Sequence, residues 1–149
     1  MGGVMVKARK KRTLYVIIVG CGKMGSIVAN EASKEGHNVV VIDKDEKAFE
    51  NLSPEFSGFT ILGDATEVEN LRAAKIDKAD IVLALTNDDN TNFMVSMIAR
   101  RVFGVEKVIA RVYDPENFEL FRQFDINAIS PILLMTEALK GLLLLPGEE

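Results

Sequence analysis

The sequence predicts an α/β fold: a doubly wound parallel sheet of six strands, order 3-2-1-4-5-6, with helices on both faces. Three observations predict it. Apolar runs of strand length alternate with helix-like segments almost without lapse, which implies right-handed crossovers and a parallel sheet. The runs VIIVG, VVVID and IVLALT are continuously apolar instead of alternating, as strands covered on both faces require. The first run ends in glycines at Gly20, Gly22 and Gly25, after which the pattern turns helical.

In chain order, the first strand covers 14–20 and hands over through the glycines to a helix over 23–34, rich in Ala and Val. A second strand, 38–43, closes on Asp43, 18 positions beyond the last glycine. A helix over 46–52 leads to a strand at 58–62, followed by Gly63, Asp64 and Ala65. After a helix at 67–74, the fourth strand, 81–86, ends with Leu85 and Thr86, and Asn87 follows. Either Asn87 or Asp88 can cap the next helix, 90–103. A fifth strand at 107–112 carries Arg111 near its end. A helix at 115–124 and a short strand at 128–130 complete the sheet. The last helix, 131–144, holds Ile132, Leu133, Leu134, Leu139, Leu142, Leu143, Leu144 and Leu145 around much of its circumference. One apolar stripe is enough to pack a helix on a sheet. The excess reads either as a deeply buried helix or as a subunit interface, 131–145, through which the chain forms a homodimer.

The glycines, the strand before them, the helix after them and the distal acid together meet the description of a Rossmann-type dinucleotide fingerprint. Gly20 allows the tight turn, Gly22 admits a pyrophosphate close to the backbone, and Gly25 lets helix and sheet pack closely. Free amides and the positive end of the helix dipole face the anion. Asp43 would accept hydrogen bonds from both ribose hydroxyls and repel a 2′-phosphate, with Lys44 beside it. Lys23 adds a cation at the helix opening, or is a solvated first-turn side chain. Cys21 occupies the variable position as a small packing residue, or as a thiol sensitised by nearby amides. Asp64 and Ala65 would meet an adenine edge, with Thr86 and Asn87 beside the glycine loop.

Several classes of function are disfavoured. One cysteine and one histidine, His37, leave no disulfide framework and no His or Cys cluster for a metal. The net charge is −4, yet residues 1–12 carry five basic and no acidic side chains, so the body of the chain is acidic and does not favour nucleic acid. Residues 1–13 read as a disordered basic leader, and 14–145 as one nucleotide-binding domain. No apolar run approaches the roughly 20 residues of a membrane helix, and a cytoplasmic location is expected. Tyr113 is followed four positions on by Asn117, and Tyr15 by Val19, so neither forms the Tyr-x-x-x-Lys pair of short-chain dehydrogenases. These residues suggest a nucleotide sensor rather than an enzyme. A minimal NAD-dependent oxidoreductase and a stand-alone redox-sensing module remain the alternatives.

VGCGKMG, VVVID, GDAT, ALTNDDNTNFMVSMIAR, VIARVYDPEN and INAISP, in this order and spacing, resemble the RCK domains, also called TrkA-N or KTN domains, of Trk/Ktr potassium uptake systems. The resemblance runs from about Leu14 to Leu144. It implies a cytoplasmic regulator that binds NAD(H) or AMP, ADP or ATP, dimerises and assembles into rings beneath a membrane potassium-translocating subunit. By the same resemblance Gly20, Gly22, Lys23 and Met24 would line the phosphates. Asp43 and Lys44 would flank the ribose, Asp64 and Ala65 the adenine, and Thr86 with Asn87 the inner crevice. Arg111 would serve the ligand, an intersubunit contact or a surface ion pair. Many members carry arginine where this chain has Lys23, and many continue into a second, smaller lobe.

Overall fold

The structure is a computed structural model and describes residues 12–144 of the 149. Almost all of the expected leader, and Leu145 of the last helix, lie outside the described residues. Six parallel strands form one sheet: β1 (Tyr15–Val19), β2 (Asn38–Asp43), β3 (Phe59–Leu62), β4 (Ile81–Ala84), β5 (Lys107–Arg111) and β6 (Asn127–Ile129). Their order across the sheet is β3-β2-β1-β4-β5-β6, the predicted one. The helices are α1 (Lys23–Lys34), α2 (Val68–Ala73), α3 (Asp89–Met97), α4 (Phe118–Gln123) and α5 (Pro131–Leu143).

Val16–Val19 and Val39–Ile42 are buried without interruption, so successive side chains of β1 and β2 enter cores on opposite faces. On one face Val16, Ile18, Val39 and Val41 pack with Ala29 of α1, and with Phe49 and Leu52. On the other, Ile17, Val19, Val40 and Ile42 join Val82, Ala84 and Ala110 beneath Leu71, Val95, Ala99 and Phe121 of the helices. Phe93 fastens α3 to α4, its ring edge-on to Phe121 at 5.2 Å and to Phe124 at 5.4 Å between centroids.

Three details depart from the sequence reading. The segment expected as a helix at 46–52 is a 3-10 turn, Glu46–Asn51, started by the Asp45 carboxylate accepting from the Lys47 amide at 3.0 Å. The helix expected over 90–103 is α3 continued by a π turn at Ile98–Val102. β4, expected to be covered on both faces, buries only Val82 and Ala84 fully. Its Ile81 and Leu83 stand on the α1 face, in register with Val16 and Ile18 of β1, and are half-buried because α1 packs on β1 and β2.

That half-covered face extends to Ile109 and Arg111 of β5 and to Ile129 of β6, all on the same side by register. No residue of α5 is buried. Ile132, Leu134, Met135, Leu139, Leu142 and Leu143 are exposed, Leu142 at 81%. The described residues of the chain therefore do not cover this helix. Ser130 starts this helix, its hydroxyl accepting from the Leu133 amide at 3.2 Å, with Pro131 in the first turn. No helix among the described residues is long and apolar enough to cross a membrane.

Candidate functional site

Six parallel strands all deliver their carboxyl ends to one rim. In open sheets of this kind a crevice forms where the strand order reverses, here between β1 and β4. A cavity of about 490 Å³ lies there, reaching from Asp64 and Ala65 past Asp43, Lys44 and the glycine loop to Thr86, Asn87 and Arg111.

Backbone geometry at its centre is set by the glycines. Gly20 has φ +102°, a conformation that side chains rarely adopt. A Cβ there would also meet Leu85 and Thr86 backbone atoms at 3.0 Å. Gly22 is the N-cap of α1, and a Cβ placed on it would have nothing within 4 Å. The space it leaves opens into the crevice. Ser26 makes the first intrahelical bond, to the Gly22 carbonyl at 2.9 Å. The amides of Lys23, Met24 and Gly25 precede it and have no intrahelical acceptor. With no acidic side chain in the first turn, the positive end of the helix is left for an anion.

Asp43 is tied directly to this loop. Its Oδ2 accepts the Cys21 amide at 2.7 Å and its Oδ1 the Asp45 amide at 2.8 Å. Each oxygen retains acceptor capacity toward the crevice, so one carboxylate can hold the loop and still receive a diol. Cys21 does not line the cavity: its side chain is buried, and its carbonyl accepts from Asn51 Nδ2 at 3.1 Å. Burial, aided by the Asp43 charge, pushes the thiol up to about 11. The protonated form then dominates near neutral pH, in agreement with a packing role and against the sensitised thiol. Gly25 is also buried away from the cavity. Its close approach is to the loop itself, since a Cβ would stand 1.8 Å from the Gly20 carbonyl oxygen.

At the β3 end, Asp64 forms a compact turn, its Oδ1 accepting from the Thr66 amide at 2.9 Å and hydroxyl at 2.7 Å. Those bonds hold its carboxyl below the usual range. Asn70 donates to the Asp64 carbonyl at 2.8 Å and fills the space in which a Cβ on Gly63 would stand. Ala65 is buried beneath this turn and still lines the crevice. The first causes of Asp64 and of Asp88 being lowered are hydroxyl hydrogen bonds, from Thr66 and Thr91 respectively, and the Lys44 charge adds to both.

The β4 side contains a residue that the sequence reading did not single out. Asn92 of α3 is fully buried and makes four hydrogen bonds. Its Oδ1 accepts the Thr86 amide at 3.0 Å and hydroxyl at 2.6 Å. Its Nδ2 donates to the carbonyls of Thr86 and Arg111, each at 2.9 Å. Asn92 thus joins the ends of β4 and β5. Asp89 adds a second brace, accepting from the Tyr113 amide, the Asp114 amide and Asn117 Nδ2. Burial works to raise the Asp89 carboxyl, but these bonds and the nearby Arg111 charge outweigh it and hold the group low. Asp88, not Asn87, takes the N-cap position of α3, and its carboxylate accepts from the Thr91 hydroxyl at 2.7 Å. Asn87 lines the crevice, exposed.

His37 stands at the opposite end of the strands, its Nδ1 accepting the Leu14 amide at 3.0 Å. Among the described residues, no group of three His, Cys, Asp or Glu could hold a metal ion.

Comparison with known proteins gives a family model for the TrkA-N domain, matching residues 16–131. The Trk system potassium uptake protein TrkA of Streptomyces coelicolor is 34% identical over 136 residues, which cover 91% of this chain and 61% of that protein. The chain thus spans about three fifths of the length of this curated relative. A solved structure of the GsuK channel bound to NAD is similar at a TM-score of 0.73 and 26% identity, covering 89% of this chain and 23% of that one. The TrkA-N domain of the Escherichia coli inner membrane protein ybaL shares the fold, at a TM-score of 0.78 and 17% identity, over 91% of this chain and 100% of that one.

Proposed function

The chain belongs to the TrkA-N domain family, and from that premise we propose that it is a nucleotide-binding regulator of a membrane potassium-translocating subunit. The observation that carries this reading is the open cradle at Gly22. A helix N-terminus free of acidic side chains faces a cavity whose neighbouring strand presents Asp43 to a ribose. Adenine would lie against Asp64 and Ala65, the ribose at Asp43 and Lys44, and the phosphates at Gly20, Gly22, Lys23 and Met24. Leu85, Thr86 and Asn87 would close the inner wall and Gly63 the outer one. The ligand class is NAD(H) or an adenine mononucleotide, as supported by the NAD in the GsuK channel structure.

The crevice is walled by no histidine, tyrosine or cysteine side chain among the described residues. Gating at the cytoplasmic face would be a population shift, with the ligand binding one arrangement of subunits better than the other.

A homodimer completes the reading and a ring of such dimers extends it. α5 presents apolar side chains that the described residues leave exposed, and Ile129 and Ile109 border a half-covered sheet face beside it. Sedimentation at micromolar concentration should give a dimer, and Leu142→Glu should shift it to monomer. A wild-type monomer under those conditions would remove this part of the proposal.

Calorimetric titration with NADH, NAD, AMP, ADP and ATP tests the nucleotide reading. Gly22→Ala is the decisive variant, because its methyl meets no protein atom. It should melt within a degree or two of wild type yet bind nucleotide at least tenfold more weakly, about 1.4 kcal/mol. Undiminished affinity in that variant would place the anion elsewhere.

A further inference from the structure

We propose a second ligand site, at the amino ends of β1, β2 and β3, that takes a small aromatic carboxylate. It lies at the opposite end of the strands from the nucleotide crevice and does not depend on the reading of that crevice.

Register places its apolar floor. Val40 pairs with Phe59 and Ile42 with Ile61, and Val40 and Ile42 pack into the core beneath α2 and α3. Paired residues share a face of the sheet, so Phe59 and Ile61 stand on that same side. α2 is only six residues long. It meets β1 where the Tyr15 hydroxyl donates to the Ala74 carbonyl at 2.7 Å, and it leaves Phe59, on the edge strand, 74% exposed. A cavity of about 420 Å³ remains, walled by Tyr15, Val40, Phe59 and Ile61. That volume falls within the range of small-ligand sites.

The charge of the lining has one sign. Lys75 and His37 border the cavity, and no aspartate or glutamate does, although the chain carries a net charge of −4. Among the described residues Lys75 makes no ion pair. Its φ is 59°, a left-handed conformation that favours glycine. Both backbone groups are pinned there: its amide donates to the Arg72 carbonyl and its carbonyl accepts from the Lys78 amide, each at 2.9 Å. Glycine would ease this turn, whereas lysine sets a cation beside the cavity. His37 Nδ1 accepts the Leu14 amide at 3.0 Å, so the neutral ring carries its proton on Nε2 as a donor. Burial first, and the Asp77 charge second, push the Tyr15 hydroxyl above its ordinary range, which keeps that wall uncharged. Asp80 is occupied by the Tyr15 amide and the Arg12 guanidinium. An exposed aromatic ring over an aliphatic floor, with an unpaired ammonium and an imidazole donor alongside, suits a flat apolar body bearing one carboxylate.

Chemical-shift titration of the whole chain with 3-phenylpropanoate, 3-phenylpropanamide and 3-phenylpropylamine tests it, because these probes share a body and differ in charge. The carboxylate should move the amide signals of Gly58, Phe59 and Lys75 with a Kd of about 1 mM, the range open to a ligand of about a dozen heavy atoms. The amide and the amine should bind at least fivefold more weakly. Lys75→Gly should weaken the carboxylate tenfold while melting no lower than wild type, since glycine accepts the left-handed backbone. Lys75→Arg should retain binding, and Phe59→Ala should lose fivefold or more with its melt unchanged. A carboxylate that leaves those three amides unmoved, or binds no better than the amine, overturns the proposal. Binding that survives Lys75→Gly overturns it as well, as do shifts confined to α5, which would mark adsorption on its exposed leucines. Sedimentation of Phe59→Ala at a lower mass than wild type would give the ring to a contact between copies of the chain, and would also overturn it.

Discussion

Gly25→Ala is expected to cost about 3 kcal/mol or more of stability, above the ordinary range for adding one methyl to a packed interior. Its Cβ would lie 1.8 Å from the oxygen and 2.8 Å from the carbon of the Gly20 carbonyl, both backbone atoms. The loop has no room to retreat. The Gly20 amide is bonded to the Ile42 carbonyl at 2.8 Å, and Gly20 is itself backed by Leu85 and Thr86. Relief must come from lifting α1 off β1, which would open the cluster around Ile18 and Ala29. For a chain of this size the melting temperature should fall by roughly 6–12 °C. A melt within 2 °C of wild type would show that α1 can shift without cost. Beside Gly22→Ala, this variant separates the two roles of the motif: one glycine makes room for protein, the other makes room for ligand.

Asn92→Leu should be comparably damaging, at about 3–5 kcal/mol, by the opposite mechanism. Leucine fits the apolar surroundings but leaves the Thr86 amide and the carbonyls of Thr86 and Arg111 without Asn92 as partner. Each buried polar group deprived of its bond costs about 1–3 kcal/mol. Urea unfolding should show a lower midpoint at unchanged slope, the pattern of a stability change in a cooperative fold. A loss below about 1 kcal/mol would mean that water or a rearranged Thr86 replaces the amide.

Much of the molecule was legible because its cause is local. Every strand lies within two residues of its predicted bounds, β2 on them, and α1 follows the glycine loop to the residue. The strand order follows from the handedness of the crossovers. What remained hidden depends on partners distant in sequence. Asn92 reads as one more polar residue in TNDDNTN, and its burial comes from the carbonyl of Arg111, 19 positions on. That Asp43 grips the Cys21 amide across 22 positions is equally invisible in the glycine loop or in β2. At 46–52 the pattern reads as a helix, whereas the chain forms a 3-10 turn over Glu46–Asn51 that the Asp45 carboxylate caps at its start. α5 was ambiguous for a different reason: a helix apolar on several sides carries no mark of which molecule covers it.

The order of the strands also has a consequence for how the chain is made. β1 leaves the ribosome before the other five strands of its sheet and occupies the middle of it. Its second neighbour pairs Ile17 with Val82, some 65 residues later in the sequence. At roughly 5–20 residues synthesised per second, that is a delay of about 3–13 s. Throughout it the VIIV edge can pair with β2 on one side only. During that interval the nascent chain presents a flat apolar edge to its surroundings, the form of surface that chaperones cover and that like strands join. The central position that later builds the ligand crevice makes β1 the most vulnerable strand during synthesis.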